Sequence, residues 1–425
     1  MKIEELYPIF LQHPSVQTDT RLLKPGDIFF ALKGPNFNGN SFAKKAIENG
    51  ASYAIIDEKE FALNDRTIVV DDVLSTLQEL AKFHRQQLNI PVIAITGSNG
   101  KTTTKELVHA VLSSTYRTYT TQGNLNNHIG IPLTLLRIKS DAEIAIVEMG
   151  ANHQKEIEAY CKYTLPTHGI ITNCGKAHLE GFGGVEGVRK GKGELYDFLR
   201  SNNKTAFVMW DYDYLRDMSK GIGNIVTYGT HDADIVGRVI QSEPYLEVAI
   251  EKGASIPKIK TQLVGDYNLP NVLVAVTLGK YFKVDDELIR KSIEAYSPSN
   301  SRSQLMHLNG NEVILDAYNA NPSSMKLAIE NFGRLHYPNK ILMLGAMAEL
   351  GDESLAEHEA IVDLIKKFSW KEVVLVGGDF QKINHPFRSF NNSTEAAQWW
   401  KQQNLNKVAI LIKGSRSMQM EKVIG

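Results

Sequence analysis

The stretch Pro91-Val92-Ile93-Ala94-Ile95-Thr96-Gly97-Ser98-Asn99-Gly100-Lys101-Thr102-Thr103-Thr104-Lys105-Glu106-Leu107 constrains the fold more than any other part of the chain. It opens as a short apolar run, β-branched at Val92, Ile93 and Ile95, the pattern of a buried parallel strand. It breaks at Gly97 and Gly100, and from Thr102 it takes on helical spacing, with Leu107, Val108, Val111 and Leu112 on one face. A strand, a glycine turn and a helix N-terminus make a phosphate cradle, because free backbone N–H groups and the positive end of the helix dipole face one anion. Gly97, Ser98, Asn99, Gly100, Lys101, Thr102 and Thr103 would surround the phosphates. Lys101 reaches the β- and γ-phosphates, and the Thr102 hydroxyl ligates Mg²⁺. The loop is shorter than the usual P-loop, which needs a glycine at position 95, where this chain has Ile. A plain glycine turn with a surface lysine is the alternative, and the strand before and helix after it speak against that.

The remaining chain must supply domains around this cradle. A length of 425 residues implies about two to four domains. With 43% hydrophobic and 22% charged residues the chain has the composition of a soluble globular protein. A formal net charge of −1 gives no general affinity for nucleic acid or anionic membranes. Two cysteines, Cys161 and Cys174, make no disulfide framework, so a reducing, cytoplasmic setting is expected. Met1 to Leu6 lacks the apolar run of a signal peptide. No stretch approaches the roughly 20 apolar residues of a membrane span, so no stable membrane insertion is expected.

Residues 1–86 read as a small α/β module. Pro25-Gly26 is a turn, 28–32 a strand, 41–49 a helix ended by Gly50, and 53–56 and 67–70 are further strands. Thr20 and Arg21 suit a phosphate or a uracil, or form a surface turn. An amphipathic helix over 73–88 leads into a central domain, 87–298, built on a parallel sheet. Residues 206–210 and 225–228 look like its last strands, and 234–250 with 259–263 read as a β excursion. A helix over 269–278 follows. Ser297-Pro298-Ser299-Asn300-Ser301 is a linker, and 299–425 alternates strands and helices as a Rossmann-like domain. The fold class is therefore α/β in three domains.

Several residues fall where ligands bind. The amides of Asn124, Asn126 and Asn127 suit a ligand or form Asx turns. Glu148 ends an apolar strand, on the crevice side of a parallel sheet, as the acidic partner of the phosphate loop does. His178 lies just past another strand end, as a ligand or as a structural histidine. Lys190 and Lys192 read as an electropositive patch near phosphates or as a solvated basic face.

Thr96-Gly97-Ser98-Asn99-Gly100-Lys101-Thr102-Thr103, the Asn124-to-Pro132 block, Glu148-Met149-Gly150-Ala151-Asn152-His153 and Ala177-His178-Leu179-Glu180-Gly181-Phe182-Gly183 occur in one order. Asp316-Ala317-Tyr318-Asn319-Ala320-Asn321-Pro322 and Lys413-Gly414-Ser415-Arg416-Ser417 complete the set. Together they resemble the Mur ligase family, ATP-dependent amide ligases that build the peptidoglycan stem peptide. The blocks are most similar to those of the member that joins D-alanyl-D-alanine to UDP-N-acetylmuramoyl-tripeptide (UDP-MurNAc-tripeptide). The resemblance implies that ATP phosphorylates the tripeptide carboxylate and that the D-Ala-D-Ala amine attacks the acyl phosphate. It implies two Mg²⁺ ions, with Thr102 and Glu148 at one, and His178 and a carbamylated Lys192 at the second; Lys190 is the alternative carbamate. Catalytic roles pass to Lys101, Lys192, His178, Glu148 and Arg302. Asn268 and Asn271 resemble adenine-contacting residues, and Arg302 and Asp316 resemble groups that close over ATP. Substrate binding would involve Thr18, Asp19, Thr20 and Arg21 at the UDP end, and Asn126, Asn127, Tyr318, Asn319, Asn321, Lys413, Ser415 and Arg416. The family's Gly-Asp-Met block reads Gly345-Ala346-Met347 here, so a carboxylate that would position the incoming amine is missing. A monomer is expected, with these substrates as its partners. The competing readings are a folylpolyglutamate synthetase-like ligase and a nucleotide-binding module without catalysis. The first would not need the N-terminal module, and the second would not need Glu148, His178 and Lys192.

Overall fold

The computed structural model describes residues 1–299, 301–403 and 405–425; Asn300, inside the expected linker, lies outside them. The described residues form three larger sheets with helices packed on them, and a two-stranded antiparallel sheet of Lys33–Gly34 and Phe37–Asn38.

The N-terminal sheet is parallel, in the order Val16–Gln17, Ile28–Phe30, Tyr53–Ile56, Thr67–Val69. Ile28, Phe30 and Ile55 are fully buried beneath Leu6 and Phe10 of helix Ile3–Gln12. Helix Val73–Gln87 starts at Asp72, whose carboxylate accepts the Ser75 N–H at 2.6 Å. It buries Val73, Leu77, Leu80 and Ala81, the i, i+4, i+7, i+8 stripe of an amphipathic helix. His84 near its end bonds Tyr7 on one side (3.0 Å) and the Ile138 carbonyl on the other (2.7 Å), so it ties the first sheet's helices to the central domain.

Among the described residues the central sheet has nine strands. Their order is Ile259–Lys260, Glu247–Lys252, Ile235–Gln241, Asn224–Gly229, Thr205–Met209, His168–Ile171, Val92–Thr96, Ile144–Glu148, Thr118–Thr120. Val92–Thr96 is buried along its whole length between His168–Ile171 and Ile144–Glu148, with both neighbours parallel. That is why its sequence is continuously apolar rather than alternating. The strands at 205–209 and 224–229 are not the last. Tyr228 and Gly229 pair with Ile235 and Val236, so the expected β excursion extends the same sheet and ends in an antiparallel edge. The turn-rich block before Leu133 runs into helix Gly130–Leu136, buried throughout.

The third sheet runs Gln304–Leu308, Asn311–Asp316, Ala409–Lys413, Lys340–Gly345, Glu372–Val376, Arg388–Phe390. Its first pair is antiparallel and the rest parallel. No helix among the described residues is long and apolar enough to cross a membrane.

Candidate active site

The C-terminal ends of the central strands and of Asn311–Asp316 and Ala409–Lys413 open onto one cleft of about 1440 Å³. A pocket for one small ligand holds about 300–1,000 Å³; this one has room for more than one.

The phosphate loop forms one wall. Gly97 (φ +140°) and Gly100 (φ +80°) adopt backbone that side chains rarely take, and Gly100 caps helix Lys101–Ser113. A Cβ on Gly97 would lie 2.0 Å from the Thr172 hydroxyl, so the loop is packed directly on the neighbouring strand end. The Ser98 N–H donates to the Asn173 carbonyl (2.9 Å), the Asn99 N–H to Asn173 Oδ1 (3.1 Å), and the Thr172 hydroxyl to the Asn99 carbonyl (2.6 Å). Lys101 Nζ donates to the Gly97 and Ser98 carbonyls at 2.6 and 3.2 Å. Burial pushes its pKa down, the Glu148 carboxylate opposes this, and the Arg302 guanidinium adds to it.

Glu148 is buried at the end of its strand. Its Oε1 accepts from Thr102 Oγ1 (3.2 Å) and Asn126 Nδ2 (2.8 Å), while its buried Oε2 has no hydrogen-bond partner. An orphaned carboxylate oxygen beside a threonine hydroxyl fits a divalent cation. Among the described residues no three His, Cys, Asp or Glu side chains converge. A Mg²⁺ here would therefore rely on Thr102, Glu148, phosphate oxygens and water, its usual environment at nucleotide sites.

His178 also lines the cleft, with a left-handed backbone (φ +53°) at the start of helix Leu179–Phe182. Its Nδ1 lies 2.6 Å from Glu349 Oε2 of the C-terminal domain. This contact holds the Glu349 carboxyl below its ordinary pKa. Of the two candidate carbamate lysines, Lys190 is exposed and Lys192 buried. Lys192 is not a lining residue; its Nζ donates to the Ala151 carbonyl at 2.9 Å and sits 4.9 Å over the Phe182 ring. Burial, helped by Lys101, brings its pKa down to about 7. A carbamate on Nζ would keep one N–H for the Ala151 carbonyl and would bring an anion into this buried position.

Asn268 and Asn271 line the cleft but are almost fully buried. Asn268 Nδ2 donates to the Val264 carbonyl (2.8 Å), Asn271 Nδ2 to Asn268 Oδ1 (2.8 Å), and the Thr104 hydroxyl to Asn271 Oδ1 (3.0 Å). They brace the helix behind the phosphate loop. The opposite wall carries Arg302, Asp316, Tyr318, Asn319, Asn321, Lys413 and Arg416. Arg302 stacks on Tyr318, with Cζ 3.6 Å from the ring centroid. Asn321 caps helix Pro322–Arg334 and reaches across to Asn99 of the phosphate loop (Nδ2 to Oδ1, 2.8 Å). Asn126 and Asn127 line the floor, and Asn127 Oδ1 accepts the Gly130 N–H at 2.9 Å.

Three expected substrate contacts are held differently from the rest. Thr18, Asp19, Thr20 and Arg21 are not among the lining residues; Asp19 accepts the Arg21 backbone N–H (2.9 Å) and pairs with its guanidinium (2.6 Å) in a surface turn. Ser415 is buried with its hydroxyl 3.0 Å from that of Ser417. Lys413, read as a substrate contact, is 3% exposed and bonded to Asp316 (2.6 Å). The loop after strand Lys340–Gly345 also behaves differently. Ala346, in place of the family's Asp, is buried with its N–H on the Val376 carbonyl. Glu349, three residues on, is the carboxylate that this loop brings to the cleft. Sequence reasoning missed it because no spacing rule links residue 349 to residue 178.

A phosphate loop, an acidic strand end and a second α/β domain closing over both define a nucleotide-dependent α/β enzyme. Three family models match in succession: "Mur ligase family, catalytic domain" over residues 14–93, "Mur ligase middle domain" over 95–279, and "Mur ligase, glutamate ligase domain" over 301–416. The chain belongs to the Mur ligase family, and it is an ATP-dependent ligase. It is 34% identical over 429 residues to the UDP-N-acetylmuramoyl-tripeptide–D-alanyl-D-alanine ligase of Bacillus subtilis, covering 96% of this chain and 92% of that protein. The crystal structure of MurF from Acinetobacter baumannii superposes with a TM-score of 0.87 at 29% identity, covering 96% and 92% of the two chains. MurF ligase from Thermotoga maritima in complex with ADP gives a TM-score of 0.87 at 26% identity, with 97% and 96% covered.

Proposed function

We propose that this enzyme uses ATP to join D-alanyl-D-alanine to UDP-MurNAc-tripeptide in peptidoglycan precursor synthesis, through an acyl phosphate. The names of its full-length relatives support the substrates. One observation carries the mechanism: Lys101, Glu148 and Arg302, from two domains, line a single cleft large enough for both reactants. A carboxylate is a poor electrophile, and transfer of the γ-phosphoryl group gives it a leaving group. Lys101 and Arg302 neutralise charge on that phosphoryl group, and the loop N–H groups orient it. Thr102 and Glu148 would hold Mg²⁺, which when bound offsets phosphate charge. A second ion would meet Nε2 of His178 while Nδ1 stays on Glu349, whose carboxylate would then orient the imidazole. Lys192 would fix the Ala151 backbone near Glu148, and a carbamate on it would keep one N–H for that carbonyl.

In this reading residues 1–86 hold the UDP end near Thr18 to Arg21, 87–298 bind ATP, and 299–425 close over it. The enzyme works in the cytoplasm as a monomer. The test is ADP release with UDP-MurNAc-tripeptide carrying either diaminopimelate or lysine. Release should require both the nucleotide tripeptide and D-Ala-D-Ala. Release supported instead by a folate and glutamate, or by neither co-substrate, would refute the assignment.

A further inference from the structure

We propose that Lys413 is a positioning residue: through Asp316 it holds the Ser301–Ser303 turn so that Arg302 faces the phosphate loop. This rests on the reading above that Arg302 meets the transferring phosphoryl group.

Lys413 and Asp316 are register partners at the C-terminal ends of adjacent parallel strands. Their side chains are 3% and 17% exposed and meet at 2.6 Å. Lys413 Nζ also donates to the Asn319 carbonyl at 3.2 Å, so the ammonium is committed inside the protein. Asp316 turns its other oxygen to the Ser303 N–H (3.0 Å). Ser303 and Ser301, on either side of Arg302, both have left-handed backbones (φ +48° and +56°). Two such residues persist in one turn only when their surroundings over-determine them. Here the Tyr318 N–H donates to the Ser301 carbonyl (3.2 Å), and the Ser303 hydroxyl meets Tyr267 of the central domain (3.1 Å). Asp316 supplies the third tie.

The result is an Arg302 guanidinium laid on the Tyr318 ring, with its charge felt at Lys101 across the cleft. Without Lys413, the half-buried Asp316 carboxylate has no cation of its own. Arg302 is one residue from the N–H that Asp316 holds, and it becomes the nearest replacement. Lys413 thus keeps Asp316 a hydrogen-bond acceptor for the turn rather than a trap for Arg302. A direct contact between Lys413 and substrate would have to use the one N–H its two internal partners leave, on a side chain 3% exposed.

The experiment compares steady-state kinetics of Lys413→Met, Asp316→Asn/Lys413→Met, Arg302→Ala and Arg302→Ala/Lys413→Met in the full-length enzyme. Lys413→Met should lower kcat about 10-fold or more and leave the KM for D-Ala-D-Ala within about two-fold. In the Arg302→Ala background the same change should alter kcat less than about two-fold, because the two act as a unit. Asp316→Asn/Lys413→Met has no unpaired charge at this site and retains an acceptor for Ser303, so it should recover much of the lost kcat. A raised dipeptide KM with kcat unchanged, an equal loss in both Arg302 backgrounds, or no recovery in the double variant would overturn the proposal. Should Lys413→Met fail to fold, the double variant decides alone: activity within a few-fold of wild type supports positioning, and inactivity of the folded double variant refutes it. Wild-type turnover in Arg302→Ala would overturn both the placement of Arg302 and this proposal, while ADP release dependent on both substrates would leave the ligase reading intact.

Discussion

Gly97→Ala tests whether the packing of the phosphate loop on the neighbouring strand end sets nucleotide affinity. The new methyl would lie 2.0 Å from Thr172 Oγ1, 3.0 Å from the Thr172 nitrogen and 3.1 Å from the Asn173 nitrogen. The hydroxyl can rotate away, but only by giving up its 2.6 Å bond to the Asn99 carbonyl, a loss of about 1 kcal/mol. The backbone contacts cannot rotate away, and φ +140° adds about 1–3 kcal/mol of strain for a residue with a Cβ. The loop must therefore shift, at a total cost of about 2–4 kcal/mol in the conformation that cradles phosphate. Paid entirely on binding, this weakens ADP by about 30-fold to 1,000-fold. Isothermal titration of ADP into the variant measures it directly. Gly97→Ala/Thr172→Ala removes the hydroxyl clash but keeps the strain and the contacts to backbone nitrogen. It should bind ADP about five-fold more tightly than Gly97→Ala alone, a coupling of about 1 kcal/mol. ADP affinity within two-fold of wild type in Gly97→Ala, or strict additivity in the double variant, would refute the argument.

Lys101→Ala removes a preorganised charge at the phosphoryl group and should lower kcat by about 10²–10³ or more; wild-type turnover would sink its placement. Glu148→Gln keeps an acceptor for Thr102 and Asn126 and removes the carboxylate's charge. In thermal melts an ATP analogue at 100 times its Kd stabilises by about 2.7 kcal/mol. The magnesium-dependent part of that shift should vanish in Glu148→Gln, and an unchanged magnesium dependence would remove Glu148 from the metal site. His168 is buried against Phe207, Tyr281 and Phe282, and burial lowers its pKa to about 4. Between pH 6.5 and 4 the unfolded chain binds the proton and the folded one does not. The effect on stability is absent above about pH 6.5 and grows to a loss of about 3 kcal/mol by pH 4. Urea unfolding of wild type and His168→Gln across that range should show a shallower loss in the variant, and parallel curves would count against the assignment.

The features legible in sequence are those set by local periodicity and by the sheet rule for ligands. Val92 to Leu107 announced a strand, a turn and a helix because each has its own period and the breaks fall on glycine. Glu148 was legible because a carboxylate ending an apolar run must emerge at the crevice of a parallel sheet. The weak strands were not legible. Gln304–Leu308 is a half-exposed edge with no clean alternation, and Arg388–Phe390 is three residues long.

The roles of charged residues on the C-terminal side were the hardest to read, and the reason is physical. A period of 2 or 3.6 tells which face of an element is buried, but not which polar atom from another domain meets it there. Lys413 and Asp316 are 97 residues apart, and His178 and Glu349 lie in different domains. A lysine at a strand end looks the same in sequence whether it is free for a substrate carboxylate or already neutralised by a neighbouring strand. The motif placed Lys413 at the cleft, and that holds. Its burial and its 2.6 Å bond decide what it can do there: two of its three N–H donors are committed to internal oxygens and the side chain is 3% exposed, which leaves little of it for a ligand.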